Sequence, residues 1–181
     1  MTKEQINNEV KKNEYRDRII ASKVLQDYAF DEAMFIMTVS AKTLDCHYDL
    51  VGEQFDDKKE QYICEVKENT TNPKYKVKAI IKRQKIQDIK RLSHGRKCYF
   101  ISLLDQKFGY IFDIDKIPWN KVKMLWLKQK KTQVDDNSEM VILPTYFIDY
   151  SLAIFKCNVE KYYKDYALLK ETEKETFLPK A

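Results

Sequence analysis

The chain has 181 residues, a net charge of +5, 44% hydrophobic and 34% charged residues. That length suits one domain with a real hydrophobic core, and that composition excludes a disordered chain. With only 3 Gly and 4 Pro, special turns should be few and regular elements long.

Residues 3–28 lack Gly and Pro and carry a partial apolar stripe, which predicts a helix or two. Asp31 suits an N-cap for a second helix from Glu32 to about Leu44, apolar enough to be buried. Strands are expected at Cys46–Gln54 and Glu60–Glu68, joined by a polar loop at 55–59. Asn72-Pro73 suits the entry of a helix running to about Ser93, with Gly95 as its stop, although 74–78 alternates like a strand. Lys97–Leu104 and Phe108–Ile114 read as strands around a tight connection at 105–107. Val122–Leu127 is apolar and of open type, and 129–139 is a polar loop. Strands are expected on either side of Pro144, at 140–143 and 147–155, and a closing helix at 158–175. The order predicts a mixed α/β (α+β) single domain over 1–181.

Cys46, Cys64, Cys98 and Cys157 have no CxxC spacing, which argues against a zinc site or a disulfide framework. No apolar run reaches the ~20 residues of a membrane span, and the charged first residues do not read as a signal peptide. The expectation is a reducing, cytoplasmic setting with no membrane partner.

The strand Tyr62-Ile63-Cys64-Glu65-Val66-Lys67 carries two charges on an otherwise core-like element. Glu65 and Lys67 share a face, because side chains alternate along a strand. Charges there are costly unless something uses them. If the hairpin is symmetric about Asp57, Asp49 falls opposite Glu65. Two carboxylates so placed suit a hard divalent cation, Mg²⁺ or Mn²⁺, with the Val66 carbonyl as a further ligand. Such an ion acidifies a water, and Lys67 can hold that water or neutralise charge on a phosphate. These parts suffice to hydrolyse a phosphodiester.

Charge distribution gives the same direction. Between Lys74 and Lys97 stand ten Lys or Arg (Lys74, Lys76, Lys78, Lys82, Arg83, Lys85, Lys90, Arg91, Arg96 and Lys97) against Asp88 alone. A run so one-signed reads as a phosphate-binding footprint, as on a helix that faces DNA or RNA. A smaller basic group, Lys121, Lys123, Lys128, Lys130 and Lys131, is interleaved with Trp119 and Trp126. Exposed, these aromatics would stack on bases; tryptophans are more often core.

Asp49, then 15 intervening residues, then Glu65-Val66-Lys67 resembles the PD-(D/E)XK nuclease superfamily, which includes restriction endonucleases and Holliday-junction resolvases. The resemblance covers 31–114. It implies a restriction-endonuclease-like core of helix, three antiparallel strands, helix and a further strand, with 1–30 as an N-terminal helical extension and 115–181 as C-terminal strands and helix. It further implies a Mg²⁺-dependent deoxyribonuclease, an endonuclease by this reading, with Asp49, Glu65 and Lys67 catalytic. Glu32 on the helix before the sheet, and Gln84 on the helix after it with Lys85 as neighbour, match the positions of helpers. A homodimer is expected for a small nuclease that cuts two strands. The alternative is a non-catalytic nucleic-acid-binding or assembly module on the same fold.

Overall fold

The computed structural model describes residues 3–29, 33–37, 49–54, 61–70, 78–130 and 140–169. A helix, α1 (Lys3–Val24), ends in a short π-helical turn at Leu25–Ala29. Three strands follow, β1 (Ala33–Met37), β2 (Leu50–Gln54) and β3 (Gln61–Asn69), then β4 (Lys78–Lys82) and helix α2 (Arg83–Leu92). Next come β5 (Lys97–Leu104), β6 (Phe108–Asp113), β7 (Lys123–Lys130), β8 (Met140–Asp149), a 3₁₀ turn at Tyr150–Leu152, β9 (Phe155–Asn158) and α3 (Glu160–Leu168).

Six strands form one mixed sheet in the order β1-β2-β3-β5-β6-β9. β3 and β5 run parallel, and the other neighbours are antiparallel. β4, β8 and β7 form a second, three-stranded sheet with β8 in the centre. The protein is therefore a mixed α/β fold with a mixed sheet flanked by helices, as the sequence predicts.

Alternation along the strands splits the core in two. Tyr62, Cys64 and Val66 of β3 join Tyr99, Ile101 and Leu103 of β5 under α1 and Tyr162 of α3. Ile63, Cys98, Phe100 and Phe112 point the other way, onto Ile86 and Ile89 of α2 and onto Ala79, Ile81 and Ile148 of the second sheet. Ile20, Ala21, Val24 and Leu25 lie in the first cluster, so α1 and the turn that ends it pack on the same core. Cys64, Cys98 and Cys157 are buried thiols without disulfides.

Several element expectations are corrected. Of the helix expected from Glu32 to Leu44, residues 33–37 are instead strand β1, paired to β2, and the remainder lies outside the described residues. A short run apolar on every side has no period to separate helix from strand, and pairing with β2 decides. The helix before the sheet is thus α1. The helix expected from Asn72 begins at Arg83, because Lys78–Lys82 alternates and buries Ala79 and Ile81 as a strand. Its C-terminal stop holds, with His94 at φ 47° and Gly95 at φ 87° reversing the chain. Pro144 does not divide β8; it stands opposite Trp126, one residue beyond the last pair with β4, Lys82↔Thr145. The strand expected at 147–155 breaks at the 3₁₀ turn, so β9 starts at Phe155. The closing helix spans 160–168 and follows an Asx turn in which the Asn158 side chain accepts from Glu160 N at 2.8 Å. The loop at 55–59 lies outside the described residues.

Candidate active site

The hairpin register places the two acids. Leu50 pairs with Cys64 and Val51 with Ile63, and at the end of this ladder the Asp49 side chain reaches that of Glu65. Asp49 N donates to Cys64 O at 2.8 Å, the residue that Leu50 already faces, so Asp49 sits as an extra residue at the end of the ladder. β2 begins at Leu50, and among the described residues no strand pairs with this edge of β3 beyond Cys64. The Asp49 side chain takes up that edge, with Oδ2 accepting from Val66 N at 2.8 Å. A strand residue's N–H and C=O leave on the same edge, so the Val66 carbonyl also faces the site.

Both acids are buried, Asp49 at 7% and Glu65 at 6% exposure. Each meets a cation. Arg18 Nη2 of α1 lies 2.8 Å from Asp49 Oδ1. Lys85 Nζ of α2 lies 3.0 Å from Glu65 Oε2. That approach is an ion pair but is not aligned as a hydrogen bond, and Glu65 Oε2 makes none. Burial, then the Asp49 charge, push Glu65 up to about 8 against the pull of Lys85. Burial pulls Lys85 down, but Glu65 and Asp49 outweigh it and hold the ammonium above its ordinary value.

These groups line a pocket of about 680 Å³. α1 forms one wall with Asn13, Glu14, Asp17 and Arg18; β3 supplies Glu65, Val66, Lys67 and Glu68; β4, α2 and the second sheet close the far side with Lys82, Lys85, Gln129 and Thr145. Lys82 is held below its ordinary value by burial, then by the charges of Lys67 and Lys85, so three cations crowd the side facing the acids. Asp17, which accepts from Arg16 at 2.9 Å and from Tyr163 at 3.1 Å, is raised to about 6, chiefly by burial. Arg16 also donates to Glu68 at 3.4 Å, tying α1 to β3 along the pocket.

Asp49, Glu65, Val66 and Lys67 are thus brought together. Gln84 is exposed, and its amide donates to Asp88 at 2.9 Å; the α2 residue in the pocket is its neighbour Lys85. A helix presents adjacent residues about 100° apart, so only one of that pair can face the sheet. Glu32, Lys74 and Lys76 lie outside the described residues. The rest of the basic run is dispersed. Lys78 pairs with Asp149, Lys90 with Asp115 at 3.4 Å, and Arg91 approaches Asp88 at 3.8 Å. Lys82 reaches the pocket, and Arg83 is half-buried at the start of α2.

Sequence reasoning missed Glu14 and Arg18. Its cue was present: Glu14, Asp17 and Arg18 recur at i, i+3 and i+4, and Asp17 continues the buried stripe of Ile20, Ala21 and Val24.

Among the described residues no group of three or more His, Cys, Asp or Glu forms a metal-ligand cluster. The donors present are the carboxylates of Asp49 and Glu65, the latter with one oxygen that makes no hydrogen bond, and the Val66 carbonyl edge. An all-oxygen set of that size fits a Mg²⁺-like ion, which keeps several waters.

No protein-family model matches the sequence. No curated protein matches it. Among solved structures the chain is similar to Hjc, a Holliday junction resolvase from the archaeal hyperthermophile Archaeoglobus fulgidus, with 11% identity and a TM-score of 0.45 over 79% of this chain and 96% of that one.

Proposed function

We propose that the protein is a metal-dependent nuclease of the PD-(D/E)XK type that hydrolyses phosphodiester bonds, with DNA the favoured substrate. The observation that supports this reading is the convergence of two buried carboxylates, Asp49 and Glu65, in one pocket, with Lys67 on the Glu65 face of β3. Asp49, Glu65 and the Val66 carbonyl would hold Mg²⁺ or Mn²⁺. Such an ion supplies Lewis acidity toward a phosphate oxygen and toward the attacking water.

The protein's own residues do the remaining work. Val66 N–H and Arg18 fix the Asp49 carboxylate, so its orientation does not depend on substrate. Lys85 balances the buried Glu65 charge. Lys67 donates to the water or to a non-bridging phosphate oxygen as charge builds there. Lys82 and Lys67, close enough to depress Lys82, form an electropositive wall for a phosphate.

The test is incubation of plasmid, linear and branched DNA, and RNA, with Mg²⁺ or Mn²⁺. Cleavage of at least one substrate by the wild type, lost in Glu65→Ala and Lys67→Ala, supports the proposal. Cleavage that survives both substitutions contradicts the site. Binding without cleavage of any substrate favours a non-catalytic nucleic-acid-binding module.

A further inference from the structure

The second sheet has two dissimilar faces. Gln129 of β7 and Thr145 of β8 look into the pocket, joined by a hydrogen bond of 2.9 Å. Residues of opposite parity occupy the other face: Met124, Trp126 and Lys128 of β7 stand opposite Tyr146, Pro144 and Ile142 of β8. Near the core this face is covered, since Trp119 packs on Tyr146 with ring centroids 4.8 Å apart. Farther out it is bare. Trp126 is 64% exposed, Ile142 62%, Met140 49% and Met124 37%. Scattered apolar residues on a surface need no explanation, but a contiguous group centred on an indole does.

The two tryptophans of the chain separate by role. Trp119 is half-buried and donates its indole N–H to Ile114 O at 2.9 Å, so it is structural. Among the described residues nothing comparable holds Trp126. Its strand, Lys-Met-Leu-Trp-Leu-Lys-Gln-Lys, carries three lysines and no acid, and exposed Lys121 lies just before it. Among the described strands β7 is at the edge of its sheet, next to β8. A chain leaving the pocket past Gln129 crosses this basic edge and meets Trp126 on the far side.

An apolar protein partner would be served by the hydrophobic group but not by a lysine-bearing edge without acids. A nucleic-acid strand is served by both, with phosphates on the lysines and an unpaired base on the indole. We infer that the Trp126 face of the β7–β8 hairpin is a stacking platform for unpaired bases of a single-stranded or branched nucleic acid that passes from the pocket around the β7 edge. This rests on reading the pocket as a nucleic-acid site, and it adds a substrate class: molecules with an unpaired strand beside the bond presented to Glu65.

The test uses the full chain with EDTA present, so that binding is read without cleavage. A Trp119→Phe background leaves Trp126 as the sole indole, and oligo(dT) and a blunt duplex are titrated separately. Saturable quenching of Trp126 emission by oligo(dT) is expected. Trp126→Ala should weaken oligo(dT) binding on the order of tenfold, Trp126→Phe should restore most of it, and duplex affinity should stay within about twofold. Unchanged emission at saturation, or wild-type affinity in Trp126→Ala, overturns the inference. So does concentration-dependent self-association with Trp126 emission already blue-shifted and insensitive to oligo(dT), which would assign the face to a second copy. Quenching in a protein that cleaves no substrate supports the platform while removing the hydrolytic reading. Cleavage with a silent Trp126 removes the platform alone.

Discussion

Arg18 Nη2 lies 2.8 Å from Asp49 Oδ1 and joins the first helix to the start of β2. The contact matters because Asp49 is buried and its other oxygen is already engaged by Val66 N at 2.8 Å. Removing Arg18 leaves a buried carboxylate half-compensated. Arg18→Met should cost roughly 1–3 kcal/mol in metal-free buffer, below the ~3–5 kcal/mol of a fully buried pair because both partners keep some exposure. Millimolar Mg²⁺ should narrow that gap, since the oxygen vacated by the guanidinium becomes available to the ion. Denaturation of both proteins with and without Mg²⁺ checks this, and a gap indifferent to Mg²⁺ contradicts it.

Asp17 predicts a pH dependence. Burial raises it from 3.8 to about 6, with Arg16 opposing. The folded state therefore binds this proton more tightly than the unfolded chain. The associated stability is full below about pH 4 and is lost as pH rises through about 6. Asp17→Asn should gain on the wild type by up to roughly 3 kcal/mol between pH 4 and pH 7. Urea titrations at the two pH values measure the difference, and a constant offset between the proteins would refute the assignment.

Gly109 sits where β6 meets β9. A Cβ there would lie 2.9 Å from Val159 Cγ1 and 3.1 Å from Cys157 Sγ, both in packed surroundings. Gly109→Ala should destabilise by roughly 1–3 kcal/mol through overpacking. An unchanged thermal midpoint would show that β9 and the start of α3 yield more readily than their burial implies.

Lys85 separates charge balance from chemistry. Lys85→Met removes the cation 3.0 Å from Glu65, whose carboxyl should then titrate above its present value of about 8. Cleavage at pH 7 should fall on the order of tenfold or more and recover in part at higher pH, as one pKa unit corresponds to ~1.4 kcal/mol. Equal loss at every pH would assign Lys85 to substrate contact instead.

How much of this was legible in the sequence depends on how local each signal is. The register Leu50↔Cys64 has the symmetry that the sequence suggested, and it brings Asp49 and Glu65 to the same pocket, although Asp49 itself bonds back to Cys64. Strands β5 and β6 were readable because their runs are apolar and a tight turn separates them, with Asp105 and Gln106 both at positive φ. Residues 33–37 were not, since helix and strand bury such a run equally well until β2 supplies a partner. The choice of Lys85 over Gln84 is set by the phase of a helix whose first residue is Arg83, not a residue near Asn72. Arg18 was hidden for another reason. Its partner is 31 residues away, and only tertiary docking of α1 brings them together.

The most direct measurement is the single-turnover cleavage rate with Mg²⁺, for wild type, Asp49→Asn and Lys67→Ala, on a substrate whose binding is matched beforehand in Ca²⁺. The account predicts binding within about twofold for all three and rates reduced by on the order of a hundredfold or more in each variant. A rate within a few-fold of wild type in both variants would contradict the claim that Asp49 and Lys67 belong to the catalytic site.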